Sequence, residues 1–434
     1  MKDTVNIFWF RRDLRLDDNV GFYNALKSEH PVLPIFIFDE EILKKLPKDD
    51  ARITFIYETL QKMRTKLEDK NTSSIAMFHG EPATIYKNLL EKYNIDTVFT
   101  NRDYEPYAKD RDDKIQQLLN DNNIKFKTFK DQVIFEQNEV TKKDGLPYVV
   151  YTPYMKVWKE QFKTHTLDFY YTSSFLKNLI QDKELPNLSL SDIGFTKSNQ
   201  KIKKHIVTPA LIQNYEDTRN FPAQDSTSKL GPHLRFGTVS IRKMIEKAIT
   251  EKNEIFWQEL IWREFFMQIL WHFPHTSKNS FKAKYDRIDW RNNEAEFLKW
   301  CNGQTGYPLV DAGMRQLNET GFMHNRIRML VGSFLCKHLL IDWRWGEAYF
   351  AEKLHDYEMA SNIGNWQWVA GSGVDAAPYF RIFNPTTQIK KFDNDLAYIK
   401  KWVPDFQEFT YPKEMVDHKE ARERCLATYK EALN

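Results

Sequence analysis

The sequence predicts an α/β domain with a doubly wound parallel sheet, followed by an all-α domain. Short runs of Val, Ile, Phe and Thr alternate with helix-periodic segments over the first 130 residues or so, which is typical of such a sheet. After about residue 200 these strand-like runs nearly vanish. A chain of 434 residues is also long for one hydrophobic core, so two domains are expected.

Five strands are expected in the first domain, at residues 5–10, 32–38, 75–79, 96–100 and 124–129. The intervening segments, such as 53–60, place apolar residues at helical spacing, which indicates strands joined by crossover helices. The first strand runs into RRDLRLDD and not into a glycine-rich turn. The dinucleotide-binding fingerprint is therefore missing where its mechanism would require it.

Residues 132–198 mix polar and aromatic residues with three prolines, which indicates a connection between domains. We therefore predict an α/β domain at 1–131, a linker at 132–198 and a helical domain at 199–434. Within the last of these, segments 255–271, 309–320, 324–339 and 347–354 have little polar face, so buried helices are expected.

Charge and cysteine usage restrict the class of protein. The chain has 63 Lys and Arg against 60 Asp and Glu, so a phosphate-binding surface must come from individually placed arginines. The three cysteines lie far apart, which favours a reducing compartment, and the N-terminus has no signal-peptide pattern, so we expect a cytoplasmic protein. No HExxH, paired-Cys or G-x-S-x-G motif occurs, and no metal site is expected.

The segment 362–385 is the most informative part of the sequence. In a helix, Asn362 and Trp366 are four residues apart and share a face, whereas Trp368 points roughly the other way. This arrangement suits a protein that passes electrons to a buried aromatic cofactor and holds a flat substrate at its surface. The alternative is that these tryptophans only fill a core, but 15% aromatic residues in a polar chain favour flat-ligand pockets.

Three further motifs could carry chemistry. Glu259, Trp262 and Phe266 fall on one helical stripe, although this stripe alone favours an ordinary helix whose Glu reaches solvent at the edge of the stripe. Asn325 and Met329 share a face between two arginines, which fits a pyrimidine edge and phosphates as well as it fits an ordinary helix. Residues 227–231 precede a proline-started helix and could hold a diphosphate or simply cap that helix.

Together these motifs resemble the DNA photolyase and cryptochrome family over nearly the whole chain. The matching segments, in the family's order, are WFRRDLRLDDN at 9–19, TSKLGPHLRFG at 227–237, ELIWREF at 259–265, TGYPLVDAGMRQL at 305–317, MHNRIRM at 323–329, and NWQW with DAAPYFRIFNP at 365–385. The resemblance implies an α/β antenna domain joined to a helical domain that binds folded FAD, in agreement with the predicted architecture.

The resemblance also implies a cofactor site. Its FAD-binding residues would be Tyr215, Thr227, Ser228, Lys229, Leu230, Gly231, Arg263, Asp356, Glu358 and Asn362. Asn362 would lie at the reactive nitrogen of the central flavin ring and favour the fully reduced anion. For a second, antenna chromophore, the chain lacks the Asn-Glu pair of folate-binding relatives after Tyr104 and Glu105. A folate, a deazaflavin, a second flavin and no antenna all stay open.

Electron-transfer and DNA-binding residues are implied in the same way. Trp366, Trp343 and Trp290 match the family's tryptophan chain, which photoreduces the flavin. The lesion pocket would use Glu259, Trp262, Asn325, Met329 and Trp368 for catalysis, and DNA would be bound by Arg219, Glu259, Trp262, Asn325, Arg326, Arg328, Trp368 and Arg381. The Asn and Met pair is similar to that of enzymes that act on cyclobutane pyrimidine dimers, and class I of these is the most similar.

The resemblance therefore implies a carbon–carbon lyase that repairs pyrimidine dimers in damaged DNA. Light-excited reduced FAD would pass an electron to a dimer flipped out of the duplex. We expect a monomer with no membrane partner. A cryptochrome-type blue-light photoreceptor without repair activity is the main alternative, and a dark flavin oxidoreductase is a third that lacks a credible nicotinamide site.

Overall fold

The computed structural model describes residues 4–71 and 73–434. Its five strands form one parallel sheet in the order β3-β2-β1-β4-β5. The strands are β1 Thr4–Phe10, β2 Val32–Asp39, β3 Ala76–Gly80, β4 Asn94–Asn101 and β5 Lys125–Phe129. The predicted α/β fold class is confirmed, and each predicted strand lies within two residues of an observed one.

The sheet forms because both of its faces are buried. In β1, Phe8 and Phe10 pack into one apolar cluster, whereas Ile7 and Trp9 pack into another. Successive side chains of a strand point to opposite faces, so this continuous apolar run feeds two cores at once. The helices between the strands cover these faces, as in other doubly wound sheets.

Nineteen α-helices occur in the described residues. They are α1 Val20–Leu26, α2 Glu40–Leu43, α3 Ala51–Asn71, α4 Pro82–Lys92, α5 Pro106–Asn120, α6 Tyr151–Phe162, α7 Pro209–Gln213, α8 Tyr215–Thr218, α9 Gly231–Arg235, α10 Ile241–Ile249, α11 Ile255–His272, α12 Glu294–Cys301, α13 Pro308–Thr320, α14 Asn325–Ser333, α15 Trp343–Lys353, α16 Met359–Ala370, α17 Pro385–Phe392, α18 Ala397–Trp402 and α19 His418–Leu433. A π-helical turn, Phe334–His338, continues α14. Within the described residues, no helix is long and apolar enough to span a membrane.

The chain divides into two compact units. The first contains the sheet and comprises residues up to 136 together with 162–205 and 229–247. The second is helical and comprises residues 137–161, 206–228 and 248–434. The all-α character of the C-terminal part is thus confirmed, while the predicted domain boundaries stay a prediction. The segment predicted as a linker contains the helix α6, whose residues up to 161 belong to the second unit.

The charged residues after β1 form a buried ionic network in the first unit. Arg15 donates to Asp131 at 2.7 Å, and Arg242 lies 2.9 Å from Asp131 and 3.1 Å from Asp18. Burial by itself raises the pKa of Asp131, but the two arginines outweigh it and hold this pKa below its usual range. The segment 11–19 therefore has a structural role in this unit.

Candidate functional site

The second unit contains a cavity of about 590 Å³, including the space at its open side. It lies among α14, α15 and α16 and the residues between α15 and α16. Its walls combine aromatic rings, amides, carboxylates and one thioether: Asn325, Arg328, Met329, Gly332, Phe350, Leu354, Asp356, Tyr357, Glu358, Ser361, Asn362, Asn365, Trp366, Trp368 and Val369. Besides Arg328, seven of these were predicted from sequence as cofactor, electron-transfer or lesion residues, so the fold brings part of each predicted set to one cavity. The lining does not include Glu259 and Trp262 of the lesion set, nor Tyr215, Arg263 and residues 227–231 of the FAD set.

Asn362 is held by a carboxylate that the sequence did not indicate. Its amide nitrogen donates to the Glu347 carboxylate at 3.0 Å and to the Glu347 carbonyl at 3.2 Å. Burial raises the pKa of Glu347, and hydrogen bonds from Asn362 and Tyr357 oppose that rise. Since both bonds use the amide nitrogen, the amide oxygen of Asn362 is its remaining acceptor.

Two ion pairs fix the carboxylates of the cavity. Arg328 donates to Asp356 at 2.8 and 3.0 Å and to the Met323 carbonyl at 2.8 Å. Arg263, which extends from α11, lies 3.5 Å from Glu358. Arg328 was predicted as a DNA contact, and its guanidinium is engaged with Asp356 in this structure. Its predicted role toward DNA stays a prediction.

The predicted electron-transfer tryptophans belong to the core of the second unit. Trp366 and Trp343 are 3% and 2% exposed, and Trp290 is half-buried against the same cluster. The ring of Trp366 lies 4.9 Å from Phe350 and 6.2 Å from Trp300, centroid to centroid. Among the described residues, the indole N–H groups of Trp366 and Trp343 have no hydrogen-bond acceptor.

A second group of predicted residues clusters on α11 and its neighbours. Glu259 and Arg219 form an ion pair at 2.5 Å, and the Arg219 guanidinium lies 5.3 Å from the Tyr215 ring. The ring of Trp262 stacks on Tyr151 of α6 with a centroid distance of 3.6 Å and an interplanar angle of 9°. The sequence did not indicate Tyr151, because this stack joins two helices that lie more than 100 residues apart in the chain.

Arginines form a positive surface on the second unit. Burial lowers the pKa of Arg326, and the nearby charges of Arg219 and Arg381 lower it further, which shows that the three cations are close together. Arg326 donates to Asn220 at 2.6 Å and lies over the Phe392 ring. Arg381 is exposed. Closely spaced arginines of this kind favour a phosphate-bearing ligand.

The predicted diphosphate segment 227–231 lies at a unit boundary. Thr227 and Ser228 belong to the second unit, whereas Lys229, Leu230 and Gly231 belong to the first. Lys229 has a left-handed backbone with φ of 54°, and the helix α9 begins at Gly231 with a proline in its first turn. The proline-started helix predicted here is therefore present.

Comparison with known proteins places this chain in a family. Residues 6–170 match the family described as DNA photolyase, and residues 256–410 match the family described as the FAD binding domain of DNA photolyase. A deoxyribodipyrimidine photo-lyase of Agrobacterium fabrum is 36% identical, over 99% of this chain and 98% of that protein. The chain belongs to the DNA photolyase family.

Solved structures of photolyases resemble this chain over its full length. A bacterial class III photolyase from Agrobacterium tumefaciens has a TM-score of 0.87 at 33% identity and covers 100% of this chain and 98% of its own. An archaeal photolyase from Sulfolobus tokodaii, solved with two FAD molecules, has a TM-score of 0.83 at 33% identity, covering 98% and 100%. The class of the present photolyase, predicted as class I, stays a prediction.

The chemistry of the cavity fits a flavin. A flavin ring is flat and carries polar atoms at its edges, so it needs aromatic or aliphatic walls and hydrogen-bonding groups at their rim. Trp366, Phe350 and Val369 supply such walls, and the amide oxygen of Asn362 and the carboxylates of Asp356 and Glu358 supply acceptors for ring N–H groups. The FAD-binding domain is thus accompanied by a cavity of matching chemistry.

Proposed function

We propose that this photolyase repairs cyclobutane pyrimidine dimers in DNA by light-driven electron transfer from reduced FAD. One observation carries the proposal. Three of the five residues predicted to meet the lesion, Asn325, Met329 and Trp368, line the same cavity as three of those predicted to bind FAD, Asp356, Glu358 and Asn362. Electron transfer requires a short path between donor and acceptor, which a shared cavity provides.

The cavity residues would hold the flavin end of FAD, with Tyr215, Arg263 and residues 227–231 serving the remainder. When bound and reduced, FAD supplies the electron that light makes available. Asn362 would accept a hydrogen bond from the central flavin ring through its amide oxygen, because its amide nitrogen already donates to Glu347. Arg263 and Arg328 keep Glu358 and Asp356 in place through the observed ion pairs.

The lesion would be bound as a flipped-out dinucleotide. Extrusion costs less for a dimer than for normal bases, because a dimer stacks and pairs poorly. Trp262 and Trp368 would pack against its fused rings, and Asn325 and Glu259 would hydrogen-bond the base edge. Glu259 is paired with Arg219 in this structure, so the lesion would approach a carboxylate that an arginine already orients. Met329 would fill the space beside Asn325 and Trp368, which line the same cavity.

The phosphates around the lesion would be bound by Arg219, Arg326, Arg328 and Arg381. Three of these lie close to each other and therefore repel. Phosphates relieve that repulsion, so affinity for DNA should fall with added salt while preference for the lesion persists.

Trp366, Trp343 and Trp290 would return the flavin to its reduced state by relaying electrons from the surface. The half-buried Trp290 is the outermost of the three, and Trp366 lines the cavity. We further expect a cytoplasmic monomer. Repair by reduced FAD would not require an antenna chromophore, which would only add to the light that the protein absorbs.

The proposal is tested with an oligonucleotide that contains one thymine dimer. The purified protein, reconstituted with FAD and reduced, should restore the two thymines under blue light and leave the dimer intact in darkness. An undamaged oligonucleotide and a six-four photoproduct of the same sequence serve as controls and should be unchanged. A protein that binds FAD but leaves the dimer intact under light would contradict the proposal and favour a photoreceptor.

A further inference from the structure

We propose that Tyr151 is a positioning residue that fixes the ring of Trp262 for lesion binding. This role rests on the proposed function, because it assumes that Trp262 contacts the dimer. Tyr151 begins α6, in the segment that the sequence indicated only as a connection. Tyr151 lies outside the segments that resemble the family and outside the proposed set of lesion-binding residues.

The stack between the two rings is close and nearly parallel. The Tyr151 and Trp262 centroids are 3.6 Å apart at 9°, and Phe266 flanks the same indole at 5.5 Å and 29°. Tyr151 is 6% exposed, whereas Trp262 is half-buried. One face of the indole is therefore covered by protein. A ligand can contact only the part of the indole surface that Tyr151 and Phe266 do not cover.

Two hydrogen bonds of Tyr151 hold the stack in register. Its hydroxyl donates to the Gln258 carbonyl at 2.7 Å, one residue before Glu259 and one helical turn before Trp262. Its backbone N–H donates to the Asp375 carboxylate at 3.2 Å. Asp375 lies on the loop that follows α16, the helix of Trp368. Tyr151 thus joins the elements that carry both predicted lesion-binding tryptophans.

The rest of α6 is anchored to α11 independently of Tyr151. Trp158, which is fully buried, donates its indole N–H to Glu264 at 2.5 Å, and the Tyr154 hydroxyl donates to the same carboxylate oxygen at 3.3 Å. Lys159 forms an ion pair with Glu254 at 2.6 Å. Trp158 and Lys159 hold α6 along the length of α11 even without the Tyr154 hydroxyl, so the Tyr151 ring rests on a fixed helix.

The functional consequence is preorganisation. A half-exposed tryptophan that can change rotamer must be ordered when a ligand binds, and this ordering weakens binding. A ring already held against a fixed support avoids that cost and offers the lesion one defined surface. Tyr151 should therefore contribute to lesion affinity through Trp262, without touching DNA or FAD itself.

The test compares Tyr151→Leu and Tyr151→Phe with the matched control Tyr154→Phe, which alters a tyrosine on the same helix away from Trp262. Binding to dimer-containing and to undamaged oligonucleotides is measured for each FAD-loaded protein. Tyr151→Leu should weaken dimer binding roughly 3- to 10-fold, because the Trp262 side chain is then no longer immobilised before the lesion binds. Its affinity for undamaged DNA and its FAD content should be unchanged. Tyr151→Phe keeps the stack but removes the hydroxyl bond to Gln258, so it should lose less dimer affinity than Tyr151→Leu, and the control should stay within about twofold of wild type.

Two further variants separate positioning from folding. Asp375→Gly removes the hydrogen bond from the Tyr151 backbone to the Asp375 carboxylate, and glycine suits this exposed position because its φ is 44°. This variant should lose less dimer affinity than Tyr151→Leu. In a Trp262→Ala background, Tyr151→Leu should have no further effect on dimer affinity.

Three results would overturn the role of Tyr151. The first is a folded Tyr151→Leu protein that keeps wild-type preference for the dimer. The second is an equal loss of binding to damaged and undamaged DNA in Tyr151→Leu, and the third is the same loss of dimer binding in Tyr154→Phe. A wild-type protein without preference for the dimer would instead overturn the proposed function itself, so the two failures are distinguishable.

Discussion

Trp366 is buried, lines the cavity, and has an indole N–H without an acceptor among the described residues. Replacing it with phenylalanine therefore breaks no hydrogen bond and should lower the free energy of unfolding by only about 1–2 kcal/mol. If Trp366 donates to the flavin, Trp366→Phe should slow photoreduction of the bound oxidised cofactor at least tenfold. The measurement is flavin absorbance during blue illumination with an external thiol.

The matched control is Trp402→Phe, since Trp402 packs against the same core but was not predicted as a relay. It should photoreduce like the wild type. Both variants should repair dimers normally once reduced chemically. Normal photoreduction in Trp366→Phe would exclude Trp366 as the donor.

At this scale, sequence reasoning succeeds where a role depends on local spacing. The four-residue interval of Asn362 and Trp366 predicts a shared face, and both side chains line the cavity. It does not find Glu347, which holds Asn362, because that contact joins two helices. The ion pair of Arg219 and Glu259 spans 40 positions in the chain, and no local pattern encodes it.

The helices α15 and α16 approach so closely that one glycine is required between them. A Cβ atom on Gly346 would lie 2.1 Å from the Trp366 ring and 2.6 Å from the Leu335 side chain. We expect Gly346→Ala to lower the free energy of unfolding by about 1–3 kcal/mol, although alanine is the better helix former, because the core is overpacked. Denaturation in urea measures this loss.

Gly332→Ala is the control for that substitution. It also adds a methyl group to a helix of this core, but its nearest neighbour would be a Val369 methyl group at 3.2 Å, a milder contact. Its stability should change by less than about 1 kcal/mol. If both variants lost the same free energy of unfolding, the close contact between position 346 and Trp366 would not be the cause of the loss in Gly346→Ala.

Elements with a strong period are predictable, and those defined by tertiary contacts are not. The strands and the helices α11 and α13 lie where apolar periodicity indicates them. The helix α6 is missed because Pro153 and a mixture of aromatic and polar residues obscure its period. Its ordering depends on Glu264, a carboxylate buried on another helix.

The stability of the whole molecule should depend on pH through a buried histidine. Burial, followed by the nearby His418 and Arg424, lowers the pKa of His338 to about 3. An unfolded chain binds a proton at this side chain below a pH of about 6.5, whereas the folded chain does not, so stability falls as pH falls from about 6.5 toward 3. We expect His338→Gln to remove this dependence.

The measurement is urea unfolding of both proteins at pH 7.5 and pH 5.5. Over that interval the wild type should lose about 1 kcal/mol more than the variant. An identical loss in the two proteins would mean that His338 does not titrate on unfolding in this range.

At the scale of the whole molecule, the order of an α/β part and a helical part is predictable because periodicity changes along the chain. The assignment of residues to units is not, because residues 162–205 and 229–247 return to the unit that contains the sheet. Such returns depend on long-range contacts like that between Asp18 and Arg242. The predicted boundaries at residues 131 and 198 stay a proposal.

The action spectrum of repair in a single turnover shows whether light absorbed by reduced flavin drives repair. Reduced, FAD-loaded protein is bound to a thymine-dimer oligonucleotide and illuminated at a series of wavelengths, with a dark sample alongside. Repair driven by reduced flavin predicts that dimer loss follows the absorption of reduced flavin, extended only by any bound antenna, and that the dark sample is unchanged. Dimer loss in darkness, or none at wavelengths that the reduced flavin absorbs, would contradict it.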